Sequence, residues 1–324
     1  MRTPSEPLVS IVTPVFNEAQ YLPECIESVL AQTHENWNLT VIDNCSTDES
    51  SEIARRYAAR DDRIRVHRNQ RLLPAIQNHN TALRQCSQES KYCKVVLGDD
   101  LIFPTCLEQM VDIAESNPSV GIVGAYVLEG QRVSSAGLPY SSTVVEGREI
   151  CRRHLLEGLF IFGSANSVLY RADLVRRRDP FYNEDNIHAD TEVCFALLKT
   201  CDFGFVHQVL TYSRVRPNSL TTVSNRLATF LASDLQILVK YGPDYLTSAE
   251  RDDRLAHHLS DYYRFLGKSS VLVRDKEFWS YHRGALNKAG VGFSRARLAK
   301  GTLETLCTAV LKPKQAVEKL LHGR

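Results

Sequence analysis

Two aspartates stand side by side at positions 99 and 100, one glycine after the apolar run Val95-Val96-Leu97 and ahead of Leu-Ile-Phe-Pro104. A carboxylate pair at a strand end can ligate a hard divalent cation, and Mg²⁺ or Mn²⁺ held by few protein oxygens keeps positions open for substrate phosphates. The same pair would equally serve as the acidic first turn of a helix starting at Pro104. Asp43-Asn44 closes another apolar run. Its oxygen and amide groups can read a nucleobase edge, or form a turn or cap together with Ser46. Asn17-Glu18, after Pro14, stands at the end of a third run, where it would border a ligand or simply open a helix.

Such groups need strands to carry them. Residues 9–15 are rich in β-branched side chains, and Leu22, Cys25, Ile26, Val29 and Leu30 then recur at helical spacing. The cycle repeats with strands over 39–42, 64–67 and 94–97 and helices over 50–59, 75–86 and 104–116. Ser46, Thr47 and Asp48 supply cap oxygens for the second helix, and Pro104 suits a first helical position. Four β-α units in sequence predict an α/β fold with a mostly parallel sheet flanked by helices. In open α/β sheets ligands bind at the carboxyl ends of the strands, so the loops 14–18, 43–48 and 98–104 should converge on one site.

Beyond residue 120 the pattern predicts strands over 120–128, 164–170 and 203–212 and helices over 148–157 and 191–200. From 224 the chain reads as helical, over 227–241, 249–273, 277–289 and 298–321 with an interruption at Pro313. His257-His258 are expected on a helix surface. The expected organisation is a domain over 1–223, with halves 1–118 and 119–223, and a helical C-terminal extension over 224–324.

Of the 324 residues, 43% are hydrophobic and 24% charged, which excludes wholesale disorder and a fibrous rod. The net charge of +1 carries no basic surplus of the kind a nucleic-acid binder shows. No apolar run approaches the roughly 20 residues of a membrane span, and the start lacks a signal-peptide layout, so a cytoplasmic protein is expected. The nine cysteines contain no C-x-x-C pair and are expected to be reduced, packed thiols. Glycine-rich dinucleotide and P-loop fingerprints, the G-x-S-x-G elbow and H-E-x-x-H are all absent.

The segments Val12-Thr-Pro-Val-Phe-Asn-Glu18, Val41-Ile-Asp-Asn-Cys-Ser-Thr-Asp48 and Leu97-Gly-Asp-Asp100 with Pro104 follow one another in order, with Ser28-Val-Leu-Ala-Gln-Thr33 and Asn78-His-Asn-Thr-Ala-Leu83 between them. Together they resemble the family 2 glycosyltransferases of the GT-A fold, over about residues 8–220. The resemblance implies a metal-dependent, inverting transfer of a sugar from a nucleotide-sugar, a UDP-sugar foremost, to an acceptor hydroxyl in cell-surface polysaccharide or glycolipid synthesis. It implies that Pro14, Asn17 and Glu18 border the base and ribose, that Asp43 bonds a uracil edge with Asn44 beside it, and that Asn78 and Asn80 belong to the donor site. Asp99 matches the last acidic residue of the family's D-x-D motif and would hold Mn²⁺ or Mg²⁺, with help from Asp100. The first acidic position falls on Leu97, a departure.

His188-Ala-Asp190-Thr-Glu192 resembles the segment that carries the general base, which makes Asp190 the expected base and Glu192 its reserve; Ala189 stands where relatives have Glu. Asp190 would otherwise cap a helix. Tyr212-Ser-Arg214-Val-Arg216-Pro-Asn-Ser219 resembles the segment whose basic residues approach the diphosphate, and Arg216 stands where many relatives carry His. A nucleotidyltransferase and a non-catalytic sugar-nucleotide binder or assembly partner are the rival readings.

Between 293 and 324, Arg295, Arg297, Lys300, Lys312, Lys314, Lys319 and Arg324 face only Glu304 and Glu318, a local charge of +5. With Leu298, Leu303, Leu306, Val310, Val317, Leu320 and Leu321 as an apolar face, this segment would lie peripherally on an anionic membrane that presents a lipid-linked acceptor, or would cap the domain with a solvated basic face.

Overall fold

The computed structural model describes residues 6–217, 219–272 and 275–311. The chain divides into two compact units, Met1–Pro217 and Asn218–Arg324.

In the first unit β1 (Val9–Val15) is buried at every position. An apolar run without alternation requires cover on both faces, and helices supply it. β1 pairs in parallel with β2 (Trp37–Asp43) and with β4 (Tyr92–Val95), and β2 pairs in parallel with β3 (Ile64–Arg68). The connections are α1 (Leu22–Leu30), α2 (Ser50–Ala58) and α3 (Ala75–Leu83). Leu22, Cys25, Ile26 and Val29 are buried on one face of α1, the stripe that the spacing predicts, and they pack with Ile11, Val15 and Leu39 in the core.

The later part adds β5 (Leu101–Ile102), α4 (Cys106–Ser116), β6 (Val120–Glu129), β7 (Arg132–Ser134), β8 (Val144–Val145) and α5 (Gly147–Glu157). β9 (Val168–Arg171), α6 (Ala172–Arg176), α7 (Ala189–Leu197) and β10 (Asp202–Ser213) complete it. The sheet has ten strands, eight of them in the order β3-β2-β1-β4-β9-β6-β10-β5, with β7 on β6 and β8 on β10. The long pairings, including β6 with β10, are parallel; β9, β5, β7 and β8 join through short antiparallel ladders. The fold is the expected α/β architecture.

Two local expectations are corrected. Residues 164–170 are not one strand: Ala165–Ser167 form a 3₁₀ turn, because the side chains of Ser164 and Ser167 cap it reciprocally, and β9 starts at Val168. Pro104 precedes the helix rather than opening it, since the carbonyls of Phe103 and Pro104 accept from Gln32 Nε2 and the Thr33 N–H, both at 2.9 Å.

The second unit is helical: α8 (Leu220–Leu227), α9 (Thr229–Tyr245), α10 (Ser248–Leu272), α11 (Lys276–Lys288) and α12 (Arg295–Leu311). Residue 223 lies inside α8, so the division at Pro217 falls ahead of that helix. The helix expected over 227–241 is α9, which starts two residues later because Ala228 takes a left-handed conformation at φ 51° that separates it from α8. Leu235, Tyr262, Leu266, Phe278 and Leu286 build its core. His258 belongs there too, not on the surface, with Nε2 at 2.9 Å from the Leu231 carbonyl, whereas His257 is exposed. Gly267 and Gly301 bring α10 and α12 together: a Cβ on Gly301 would stand 2.3 Å from the Tyr263 carbonyl oxygen. Leu298 packs on this core, while Leu303 and Leu306 are exposed. Lys312, Lys314, Val317, Glu318, Lys319, Leu320, Leu321 and Arg324 of the basic segment lie outside the described residues. Among the described residues no helix is long and apolar enough to cross a membrane.

Candidate active site

The ends of β1 and β2 lie in register, Val15 opposite Asp43, and the loops beyond them are stitched together. The N–H groups of Asn17, Glu18 and Ala19 donate to Ser46 Oγ, Ser50 Oγ and Asp48 Oδ2 at 3.0, 2.8 and 3.0 Å, and the Thr47 N–H donates back to Asn17 Oδ1 at 2.8 Å. Asn17 holds φ at 55°, a left-handed conformation that asparagine tolerates better than most residues. Pro14 is buried within β1, where it shapes the strand end.

Asp43 is 1% exposed. Its Oδ1 accepts from the Ser46 N–H at 2.9 Å, whereas Oδ2 accepts no hydrogen bond and faces Arg68 Nη1 at 3.3 Å. A buried carboxylate oxygen that has an ion pair but no hydrogen bond keeps lone pairs for an N–H of a ligand. The asparagines behave differently. Asn44 bonds Leu73 through both side-chain groups and also accepts from Asn69 Nδ2, which donates in turn to Asn78 Oδ1. Asn80 accepts from the Tyr182 N–H at 2.8 Å and donates to the Tyr182 carbonyl and to Glu184. These residues brace the loops after β2 and before α7; the side chains of Asn44 and Asn80 are engaged by the protein itself.

The third strand end joins the first through charge. Gly98 lets it approach: a Cβ there would meet Val15 Cγ2 at 3.1 Å and Glu18 Cγ at 3.3 Å. The Arg216 guanidinium forks onto both oxygens of Glu18 at 2.8 and 2.9 Å and reaches Asp99 Oδ2 at 2.5 Å. Arg214 donates from Nε to the Asp99 carbonyl at 3.0 Å and from Nη2 to Glu24 at 2.7 Å. Both guanidinium groups lie over the Tyr21 ring, 4.6 Å from its centroid for Arg214 and 5.3 Å for Arg216, within cation–π range.

Asp100 points the other way. It is 4% exposed and accepts from the Arg214 N–H at 2.8 Å, from Ser213 Oγ at 3.1 Å and from Asn166 Nδ2 at 3.4 Å. Burial, with the charge of Asp99 adding to it, pushes Asp100 up to about 7; burial likewise pushes Glu18 up to about 7, against the hydrogen bonds from Arg216.

Asp190 sits in the first turn of α7 and keeps partial solvent access. Its Oδ1 accepts from the Thr191 N–H at 2.7 Å, and the nearby backbone of Ala165 also favours its charged form. Desolvation nevertheless raises it to about 6. Burial drives the Tyr170 and Tyr182 hydroxyls well above their ordinary value, and the charge of Asp190 contributes to both shifts. Glu192 is engaged elsewhere. Its Oε2 accepts from Asn183 at 2.9 Å and from Asn186 at 2.7 Å, closing the loop before the helix.

Sequence reasoning missed the piece that ties Asp190 to the acidic strand end. The 3₁₀ turn sets the Ala165 backbone near Asp190, whose charged form it favours, and presents the Asn166 side chain to Asp100. Lys94, wholly buried in β4, holds the turn by donating to the Asn166 carbonyl at 2.7 Å. A lysine inside the apolar run Tyr92-Cys-Lys-Val-Val96 was the available signal.

The sequence pattern described as Glycosyl transferase family 2 matches residues 10–178, more than half of the chain. The chain belongs to glycosyl transferase family 2. An uncharacterized glycosyltransferase of Haemophilus influenzae is 26% identical over 188 residues, 57% of this chain and 58% of that relative. Matches to the curated relatives thus span little more than half of their length at most among the first four. Of solved structures, TarS 1-349 of S. aureus in complex with UDP superposes with a TM-score of 0.63 at 17% identity, over 94% of this chain and 92% of that one. The mannosyltransferase PcManGT from Pyrobaculum calidifontis, in complex with GDP-Man and Mn²⁺, gives 0.54 at 17% identity over 88% and 86%. At these identities the likeness establishes the GT-A fold.

The Mn²⁺ in that neighbour raises the question of whether the carboxylates of this family 2 chain suit a cation. As arranged they do not. Asp99 already has a guanidinium on Oδ2 at 2.5 Å, Asp100 is buried and engaged by three protein donors, and Leu97 offers no ligand. Among the described residues no group of three His, Cys, Asp or Glu is placed to hold a metal ion.

Proposed function

We propose that this family 2 member is an inverting glycosyltransferase that moves a sugar from a nucleoside-diphosphate sugar to an acceptor hydroxyl. The observation that carries the reading is the 3₁₀ turn Ala165–Ser167, whose Ala165 backbone favours the charged form of Asp190 on one side while Asn166 donates to Asp100 on the other, which makes a raised carboxylate the neighbour of the charged strand end. The nucleotide is assigned to the stitched loops, with Asn17 and Glu18 along its edge and Asp43 Oδ2 accepting an N–H of the base. TarS, solved with UDP and with UDP-GlcNAc, supports uracil as that base.

In the reaction the acceptor oxygen attacks the anomeric carbon from the face opposite the diphosphate. The bond to the diphosphate oxygen breaks and its electron pair leaves with the diphosphate, while Asp190 takes the hydroxyl proton. Arg214 and Arg216 meet the charge that develops on the leaving group, where fixed donors contribute most. One displacement inverts the configuration. A pKa near 6 leaves Asp190 ionised at neutral pH and still basic enough to accept a proton.

The test is a panel of uridine, guanosine and thymidine diphosphate sugars scored by thermal stabilisation, followed by donor turnover. Asp190→Ala is expected to keep donor binding and to lose turnover by about 10²–10⁴-fold; unchanged turnover rejects Asp190 as base. The setting we propose is cell-surface polysaccharide or glycolipid synthesis on the cytoplasmic side, with the basic C-terminal segment on anionic lipid. The exposed Leu303 and Leu306 support that contact. Equal liposome flotation of the full chain and of a form ending before Phe293 would reject it.

A further inference from the structure

Arg216 stands between two carboxylates. One edge of its guanidinium is matched to Glu18 at 2.8 and 2.9 Å, and Nη2 also contacts Asp99 at 2.5 Å. That is the place a cation shared by the two strand ends would take, and a divalent ion on Asp99 Oδ2 would have to expel the guanidinium from the same oxygen. Asp100 turns inward to Arg214, Ser213 and Asn166, and Leu97 brings no carboxylate to the strand end.

Resting on the proposed donor chemistry, we infer that Arg216, in place of a divalent cation, carries the positive charge that meets the diphosphate, so that this transferase captures its donor without metal. A guanidinium suits this role because it is permanently charged, planar and matched in a fork to two phosphate oxygens. Tyr21 lies beneath both Arg216 and Arg214, so the two cations share one aromatic support. Glu18 holds Arg216 ready: when the diphosphate arrives, its oxygens take over N–H donors that Glu18 accepts, and no covalent bond changes. Asp99 stays as the anchor that keeps the guanidinium at the strand end.

Calorimetric titration of the full chain with UDP and with GDP, in EDTA and in Mn²⁺, tests the inference, together with electron paramagnetic resonance of Mn²⁺ added to the protein alone. The expected result is a dissociation constant for the preferred nucleotide that changes by less than about threefold between the two buffers, and no protein-bound Mn²⁺ signal. Arg216→Ala should weaken binding in EDTA by about tenfold or more, and Arg216→His, which offers a neutral imidazole ligand, should make binding depend on Mn²⁺. A wild-type affinity at least about tenfold higher in Mn²⁺, or Mn²⁺ bound to the free protein, overturns the inference and leaves the glycosyltransferase reading standing. Absence of nucleotide binding in both buffers overturns both. The wild-type comparison decides the matter even where a variant fails to fold.

Discussion

A carboxylate that resists ionisation is also the better proton acceptor, and Asp190 is held in that condition by desolvation. Its pKa of about 6 lies above the ordinary 3.8, so the folded state disfavours the charged form. The cost is absent below about pH 4, where folded and unfolded chains both carry the proton, and is fully present above about pH 6. Asp190→Asn should therefore raise stability at pH 8 by about 1–3 kcal/mol in urea unfolding, with the gain fading toward pH 4. Stability equal to wild type at both pH values would mean that burial does not penalise the charge. Turnover of the wild type should fall as pH drops through 6. Glu192 offers the contrast: Glu192→Gln loses a charged acceptor shared by Asn183 and Asn186 and should cost about 1–3 kcal/mol while turnover stays within about tenfold. A collapse of turnover instead would transfer the role of base to Glu192. At this scale the acidic residues were legible from their places at strand ends. The partners were not: Asp100 meets Arg214 across 114 positions, and no local pattern encodes that contact.

Elements whose signal is local were readable. The strands β1 to β3 and the helices α1 and α2 follow from runs and spacings of apolar residues, within a residue or two of their ends. What escaped depends on local backbone geometry: the Ser164–Ser167 cap that replaces strand by 3₁₀ turn, and the left-handed Ala228 that sets α8 apart from α9. The asparagines of α3 were legible as a motif, but the loop contacts they make were not. Asn80→Ala removes three hydrogen bonds to Tyr182 and Glu184 and should cost about 1–3 kcal/mol, with faster proteolysis between α6 and α7. Unaltered proteolysis would show that the loop is held without it. In the helical unit, Gly301→Val would force a side chain against the Tyr263 carbonyl and should cost about 1–3 kcal/mol, measured by thermal unfolding.

For the whole molecule, order along the chain and order in space diverge. The parallel half, β1 to β4, comes from one continuous stretch, whereas its charged end is completed from far away: Glu18 meets Arg216 across 198 positions and Glu24 meets Arg214 across 190. Closing such long loops is favourable only after the sheet exists to hold their ends. In kinetic terms the Glu18–Arg216 pair belongs to the descent after the folding barrier, so Arg216→Ala should speed unfolding and leave the folding rate unchanged in stopped-flow chevrons. A slower folding limb would place that pair in the nucleus instead. During synthesis the same geometry means that a nascent chain can complete β1 to β4 and still lack the cation that organises their carboxyl ends, because Arg214 and Arg216 have not yet been made.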